Sequence, residues 1–204
     1  MRQVAVTIIL GATMLCLSCS GLSDYQPQSG DIVFQDHETP DAMAIKLATG
    51  SDITHCGIVF EDNGKFVVYE ATTPQVRVKP LDQWITQAVG GKIVAKRLTP
   101  LGKYLTPAAL AEMHGLADRM VGKPFDDVLN WSNEQVYCSE LVWKVYYEGF
   151  GLELAPLRRL GSYDLSSEAV RIKLQERYGE NIPRNEPAIA PSDLIDSKHL
   201  YTVY

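Results

Sequence analysis

Apolar and polar residues alternate in five short segments, mostly in the first half of the chain, and this period of two is typical of β-strands that bury one face. The predicted strands are residues 30–35, 55–60, 65–72, 76–79 and 92–98. Asp62-Asn63-Gly64 separates the second strand from the third and favours a tight hairpin turn. Strands joined by turns this short run antiparallel, so the pattern predicts an antiparallel sheet.

Apolar residues recur at helical spacing in five other segments. The predicted helices are residues 41–47, 81–88, 107–121, 138–150 and 166–178. Asp41 is expected to cap the first helix, Pro107 suits the first turn of the third, and Gly179 is expected to end the last. From Asn181 onward, three prolines predict an extended segment that wraps the surface. The sequence shows no internal repeat, and we predict one α+β domain in which an antiparallel sheet packs against helices.

The first residues carry the features of an export signal. A basic start, Met1-Arg2-Gln3, precedes an apolar run from Val4 to Leu17 that is too short to span a bilayer comfortably. We therefore predict a signal peptide over residues 1–19, a polar linker over residues 20–29 and a single domain over residues 30–204.

Cys19 allows a second interpretation of this segment. It follows the apolar and small residues Leu17 and Ser18, as the acylated cysteine of a lipoprotein does, although Cys16 stands where an aliphatic residue is usual. Cleavage and lipidation both place the domain outside the cytoplasm, in the periplasm or cell envelope. Lipidation would add a membrane tether.

Composition and charge narrow the choice of partners. A formal net charge of −6 and the lack of a dense Lys/Arg cluster argue against nucleic acid and against electrostatic binding to anionic lipid. Removal of residues 1–19 would leave Cys56 and Cys138, which are too few for a disulfide scaffold. A single bridge between these two cysteines stays open, as does the oligomeric state.

The segment that begins at Cys138 carries the strongest chemical signal. Apolar residues follow it at positions 141, 142, 145 and 146, which places Cys138 on the buried stripe at the start of an amphipathic helix. A thiol there feels the positive end of the helix dipole, which lowers its pKa, and its own amide can hold an oxyanion. These properties suit a nucleophile, whereas the alternative is a buried structural cysteine.

His55 lies at the start of a predicted strand. Alternation puts His55 and Gly57 on one face of that strand and Cys56 on the other. Because Gly57 has no side chain, it leaves its face open for a ligand or another segment. A base is one interpretation of His55, and a structural histidine is the other.

Glu70 is the acidic residue that the predicted hairpin brings to His55. With a two-residue turn at Asn63-Gly64, Glu70 lies diagonal to His55 on the same face, and with a turn at Asp62-Asn63 it lies directly opposite. Both registers allow a hydrogen bond through which the carboxylate would fix the imidazole tautomer. The alternative for Glu70 is an exposed strand carboxylate.

Five segments, most distinctively the one around Cys138, also carry a resemblance to a known family. They are Gly30-Asp31-Ile32-Val33-Phe34-Gln35, Ser51-Asp52-Ile53-Thr54-His55-Cys56-Gly57, Tyr69-Glu70-Ala71, Gly122-Lys123-Pro124-Phe125-Asp126 and Tyr137-Cys138-Ser139-Glu140-Leu141-Val142-Trp143-Lys144-Val145-Tyr146. On these segments the chain resembles the permuted NlpC-like papain-fold hydrolases, in particular their YiiX/YebB-like bacterial branch. The resemblance covers nearly all of the chain after the predicted signal.

This resemblance implies a circularly permuted papain-like fold, in which the strand with the histidine precedes the helix with the cysteine. It implies Cys138 as nucleophile, His55 as base and Glu70 as the acidic third residue. It also implies that Tyr137 lies near the substrate, where a packing role is the alternative. Cys56 departs from the small polar or apolar residue expected beside the histidine.

The implied function is that of an exported cysteine hydrolase that forms a thioester and needs no cofactor and no metal. The substrate would be an amide of a cell-wall peptide or an acyl group of a cell-envelope lipid. Hydrolysis and acyl transfer both stay open. Trp84, Trp131 and Trp143 are candidates to line a substrate groove, although tryptophan usually packs in the core.

Two other classes of function stay open. The fold could be a noncatalytic lipid- or peptide-binding module, in which Cys138 and His55 only line a pocket. Alternatively, His55, Cys138 and Glu70 could bind a metal together with His37, although the chain lacks the paired short ligand spacing typical of such sites.

Overall fold

The computed structural model describes residues 24–99 and 106–204, so the predicted signal peptide, Cys19 and the start of the predicted linker lie outside it. Within these ranges the strands are β1 (Ile32–Gln35), β2 (His55–Asp62), β3 (Lys65–Thr72), β4 (Gln75–Pro80), β5 (Ile93–Leu98), β6 (Arg158–Arg159), β7 (Pro187–Ala188) and β8 (Leu200–Thr202). The α-helices are α1 (Pro40–Thr49), α2 (Leu81–Ile85), α3 (Pro107–Met120), α4 (Cys138–Phe150), α5 (Glu168–Tyr178) and α6 (Pro191–Ile195). Short 3₁₀ turns cover Val89–Gly91 and Leu160–Ser162. None of these described helices is long and apolar enough to cross a membrane.

One antiparallel sheet organises the domain. Its strands follow the order β4-β3-β2-β1-β5-β8, and each pairs with its neighbour in the antiparallel direction. β6 and β7 form a separate two-stranded ribbon. The predicted α+β fold, an antiparallel sheet packed against helices, is therefore confirmed.

The β2–β3 hairpin sets the register next to the histidine. Asp62 pairs with Lys65, so Asn63 and Gly64 form the two-residue turn. Both turn residues have positive φ, 51° and 76°, which is the geometry that an Asn-Gly turn adopts between twisted strands. The first of the two predicted registers is therefore confirmed.

The sheet separates two apolar layers. On one face, Cys56, Ile58 and Phe60 of β2 belong to the main core, together with residues of α3 and α4. On the other face, Val59 packs with α2, whose Trp84 is wholly buried. The predicted alternation along β2 is confirmed, and it means that α4 and α2 approach this strand from opposite sides.

The first helix begins one residue earlier than its pattern predicts. Thr39 is the N-cap of α1, since its Oγ1 accepts a hydrogen bond from the Ala42 amide at 3.0 Å. Pro40 then occupies the first helical position, where the missing N–H has no helical partner to lose. The prediction that Asp41 caps α1 is therefore wrong, because Asp41 lies inside the first turn. α2 is also shorter than predicted and ends at Ile85.

The segment after Asn181 does more than wrap the surface, and that prediction is wrong in part. It contains α6, whose Leu194 is wholly buried, and β8, which extends the main sheet beside β5. The prolines misled the prediction because Pro191 stands at the first turn of α6, where proline favours a helix.

The described end of the predicted linker packs on the domain. Tyr25 is buried, and its hydroxyl donates a hydrogen bond to Oδ2 of Asp31 at 2.9 Å. Asp31 is also held by Nε of Arg97 at 2.6 Å. This chain of contacts joins the start of the described region to β5.

The C-terminal segment gives a stability prediction. Leu194→Ala removes a side chain with no exposed surface, so we expect the free energy of unfolding to fall by about 2–5 kcal/mol in equilibrium denaturation. Lys198→Ala, an exposed change in the same segment, is the control and should shift it by no more than about 0.5 kcal/mol. Equal small effects of the two changes would contradict the packing of α6 on the core.

Candidate active site

His55 is the first residue of β2, and its side chain is buried. Its Nε2 lies 2.7 Å from Oε2 of Glu70 on β3. The hairpin register explains the contact, because the two residues are diagonal neighbours on one face of the sheet. The predicted His55–Glu70 hydrogen bond is therefore confirmed.

Glu70 is a buried carboxylate surrounded by donors. Only 1% of its surface is exposed. Beyond His55, it accepts hydrogen bonds from Trp84 Nε1 and Arg77 Nε, each at 2.8 Å, and Lys79 Nζ lies 3.7 Å away. Burial alone would raise the pKa of this carboxyl, but the hydrogen bonds from His55 and Arg77 lower it to about 2. Glu70 therefore stays ionised at neutral pH.

Cys138 is the first residue of α4, as the apolar spacing predicts. The helix begins there because Tyr137 is extended and its amide donates a hydrogen bond to Oε2 of Glu140 in the first turn, at 3.3 Å. The Cys138 sulfur is hydrogen-bonded to the side chains of Cys56 and His55, and also to the backbone of Cys56. The start of α4 thus meets the start of β2.

Cys138 and His55 shift each other's pKa in opposite directions. The hydrogen bond with Cys56, and then that with His55, holds the pKa of the Cys138 thiol well below its ordinary value, although burial opposes the shift. Burial alone would lower the pKa of His55, but its hydrogen bonds with Cys138 and Glu70 raise that pKa to about 9. These opposite shifts favour a thiolate beside an imidazolium at neutral pH, which is the arrangement that activates a cysteine in thiol enzymes.

His37 is a further neighbour, which the sequence indicated only as a metal-ligand candidate. Its ring stacks on that of His55, with 4.7 Å between centroids. Its Nε2 lies 2.7 Å from the side-chain amide of Gln35, and its backbone N–H donates to Thr54 Oγ1 at 2.9 Å. Burial, and then the charge of His55, lower the pKa of His37 to about 4. At neutral pH a neutral His37 ring therefore lies against the ring of His55.

Cys138 and His55 line a cavity of about 380 Å³, and α1 and α5 each contribute several of its other lining residues. Apolar side chains provide the larger share of the walls, and the largest aliphatic ones are Ile45, Leu129, Leu160, Leu165, Leu174 and Ile189. The cavity is also lined by Lys173 and Arg177 of α5, by Asp41 of α1 and by the buried Asp126. Arg177 pairs with Asp41 at 3.1 Å.

Tyr137 also lines this cavity, but its hydroxyl has a structural contact. The hydroxyl accepts a hydrogen bond from the backbone N–H of Ile189 at 3.1 Å. Ser139 Oγ donates to the carbonyl of the same residue at 2.7 Å. The start of α4 is therefore fastened to the C-terminal segment on the cavity side.

None of the three tryptophans, which were candidates to line a groove, is among the residues that line this cavity. Trp143 is buried and donates to the carbonyl of Ala155 at 2.9 Å. Trp131 packs on Trp143 with 5.3 Å between ring centroids. Trp84 contributes instead through its hydrogen bond to Glu70.

Two hydrogen bonds of Glu70 are not predicted from the sequence, for different reasons. Arg77 lies directly opposite Glu70 in the β3–β4 ladder, so the second hairpin carries a signal that could have found it. Trp84 comes from a helix on the other side of the sheet from α4, and no local pattern fixes where that helix docks.

The chain is similar to YiiX of Escherichia coli strain K12, which is described as an uncharacterized protein. The two are 41% identical over 179 residues, which cover 88% of this chain and 87% of that protein. A crystal structure of YiiX from Escherichia coli O157:H7 has a TM-score of 0.83 and 39% sequence identity, and the match covers 88% of this chain and 98% of that one.

That crystal structure is described as one of a metalloprotein. In residues 24–99 and 106–204 of the present chain, no group of three or more His, Cys, Asp or Glu side chains is arranged to hold a metal ion. His55 and Glu70 bind each other, and His37 is bonded to Gln35. The described residues therefore do not fit a metal centre, and they give no support to a site made of His37, His55, Glu70 and Cys138.

A family model described as permuted papain-like amidase enzyme, YaeF/YiiX, C92 family, matches residues 26–204. This span contains both the histidine strand and the cysteine helix, in the permuted order. It also contains the whole cavity. The chain therefore belongs to the YaeF/YiiX family of permuted papain-like amidases.

Proposed function

We propose that this chain is a cysteine hydrolase in which Cys138 is the nucleophile, His55 the general base and acid, and Glu70 the residue that orients His55. The observation that carries the proposal is the hydrogen-bonded row from Glu70 through His55 to Cys138, two members of which line a cavity. Membership of an amidase family supports a thiol enzyme of this kind.

The reaction begins with attack of the Cys138 thiolate on a carbonyl carbon. The Cys138 amide at the first position of α4 has no partner within the helix, so it is free of the helical ladder to stabilise the oxyanion. His55 gives its proton to the leaving group, and a thioester remains on Cys138. Water then attacks the thioester while His55 takes up its proton, which releases the acid and restores the ion pair.

Glu70 acts through His55 and does not meet the substrate in this proposal. Its carboxylate holds the imidazole by Nε2 and stabilises the positive charge that His55 carries. Arg77 and Trp84 fix the carboxylate in turn. The His55 ring therefore has little freedom to rotate away from Cys138.

We propose an acyl group as the part of the substrate that enters the cavity. The larger share of the walls is apolar, and each polar group of a peptide that was buried against them without a hydrogen bond would cost about 1–3 kcal/mol. A hydrocarbon chain carries no such groups. The scissile bond is then an amide or ester between that acyl group and a leaving amine or alcohol.

The predicted export places such a substrate in the cell envelope, where an acylated lipid has the required chemistry and a cell-wall peptide amide is the alternative. A competing alcohol or amine in place of water would turn hydrolysis into acyl transfer. Tyr137 is proposed to contact the substrate through the part of its ring that lines the cavity.

A second candidate function is a noncatalytic binding module, which the same aliphatic cavity favours. This module would bind acylated ligands without turnover. The ionisation state of Cys138 distinguishes the two functions, since only the hydrolase needs a thiolate.

Alkylation with iodoacetamide tests the ion pair. Because its pKa is lowered, we expect Cys138 to react rapidly at about pH 6, where an ordinary thiol is almost fully protonated. His55→Ala removes the imidazolium that stabilises the thiolate, so it should raise the Cys138 pKa and slow alkylation at that pH by about tenfold or more. Mass spectrometry of the alkylated peptides gives the rate at each cysteine.

The same experiment contains its controls. Cys56 is wholly buried and should not react in the folded protein. Glu70→Gln should lower the His55 pKa from about 9 and move the alkaline limit of the ion pair to lower pH, whereas Glu61→Gln, an exposed change on β2, should not. An ordinary thiol titration of wild-type Cys138 would contradict the proposed triad.

A series of acyl amides and esters tests the substrate class. From acetyl through octanoyl to dodecanoyl, we expect kcat/KM to rise by about fourfold per methylene until the cavity is full, since each buried methylene contributes about 0.8 kcal/mol. Leu174→Trp, which fills the cavity, should move the preferred chain to a shorter one.

Ile172→Trp is the matched control because Ile172 lies on the same helix but is exposed. It should leave the chain-length preference unchanged. Cleavage of peptide amides with no dependence on acyl length would support the cell-wall alternative. Tight binding of acyl ligands without turnover in the wild type would support the binding module.

A further inference from the structure

The nucleophile has a second thiol as its neighbour. Cys56 follows His55 in β2 and faces the core layer that contains α4. Its side chain and its backbone both hydrogen-bond to the sulfur of Cys138, and both cysteines are free thiols. The two thiols are therefore neighbours within one buried cluster, as a disulfide between them requires.

The two thiols differ in access. Cys138 lines the cavity, whereas Cys56 has no exposed surface and is not among the lining residues. A small oxidant that enters the cavity therefore meets Cys138 first. Cys56 lies in the buried core and has no such access from the cavity.

The two thiols also differ in reactivity. Burial, and then the neighbouring Cys138, raises the pKa of Cys56 well above its ordinary value, so Cys56 stays a thiol beside the Cys138 thiolate. A thiolate reacts with peroxides, and a thiol does not at a comparable rate. Access and ionisation thus both make Cys138 the first cysteine that an oxidant attacks.

We propose that Cys56 is a resolving cysteine, which captures an oxidised Cys138 as a reversible intramolecular disulfide and so switches the nucleophile off without destroying it. The proposal rests on the thiolate state of Cys138 in the proposed function. It assigns a role to a residue that the hydrolytic steps do not use.

The chemistry takes two steps, with a peroxide as the oxidant. The Cys138 thiolate attacks one peroxide oxygen, the O–O bond breaks, and the released hydroxide or alkoxide takes a proton from the His55 imidazolium. Cys138 is then a sulfenic acid, oxidised by two electrons, and the peroxide is reduced. The Cys56 sulfur next attacks the Cys138 sulfur, the S–S bond forms as the S–O bond breaks, and the leaving hydroxide takes the Cys56 proton to become water. A dithiol reverses the bridge by exchange.

Peptide mapping after exposure to hydrogen peroxide tests the proposal. In the reduced full chain, we expect a bridged Cys56–Cys138 peptide, loss of iodoacetamide labelling at Cys138, and recovery of that labelling with dithiothreitol. The map distinguishes this bridge from one to Cys16 or Cys19. Wild-type protein that holds Cys138 as sulfinic or sulfonic acid while Cys56 keeps its thiol would overturn the proposal.

Two variants test the order of events. In Cys56→Ser, peroxide should carry Cys138 on to sulfinic and sulfonic acid, and dithiothreitol should no longer restore its labelling. In Cys138→Ser, Cys56 should keep its thiol, because the oxidant has no path to it. Oxidation of Cys56 in folded Cys138→Ser protein, checked by near-UV circular dichroism, would contradict the proposed route.

This readout needs no turnover. If the bridge forms but no substrate is cleaved, the resolving role of Cys56 stands and the proposed hydrolase activity is wrong. If substrate is cleaved but no bridge forms, the hydrolase activity stands and the resolving role is wrong.

Discussion

Burying the carboxylate of Glu70 would cost several kcal/mol if nothing replaced the water that it loses. Three elements supply the replacement: His55 from β2, Arg77 from β4 and Trp84 from α2. Each donor also fixes its own element, so the register of two hairpins and the docking of a helix meet at one side chain. His55 is held there in the orientation that Cys138 requires. The carboxylate of Glu70 therefore acts on the ionisation of Cys138 through His55.

The sequence predicts those parts of the site that local rules control. An Asn-Gly turn fixes the β2–β3 register, and that register alone places Glu70 diagonal to His55. Apolar spacing likewise predicts the start of α4 at Cys138. Because the family resemblance adds the pairing of the strand with the helix, the sequence is sufficient to bring the three residues together.

The rest depends on contacts between distant segments, which no local pattern encodes. The position of Trp84 under Glu70 follows from how α2 docks on the sheet. The cavity needs α1 and α5 side by side, and these helices are separated by most of the chain. Proline marked the C-terminal segment as extended, whereas Pro191 in fact starts a helix. Proline is common both in extended segments and at the first turn of a helix, and here the burial of Leu194 holds the segment as a helix against the core.

The fastening of α4 to Ile189 has a consequence for the order of assembly. Tyr137 and its partner are separated by 52 positions, and β8 lies further on still. A ribosome makes the histidine hairpin first, then the cysteine helix, and only afterwards the C-terminal residues that line the cavity beside Cys138. A nascent chain can therefore form the Glu70–His55 pair early, whereas the cavity around the Cys138 thiol is completed only after synthesis has passed residue 189.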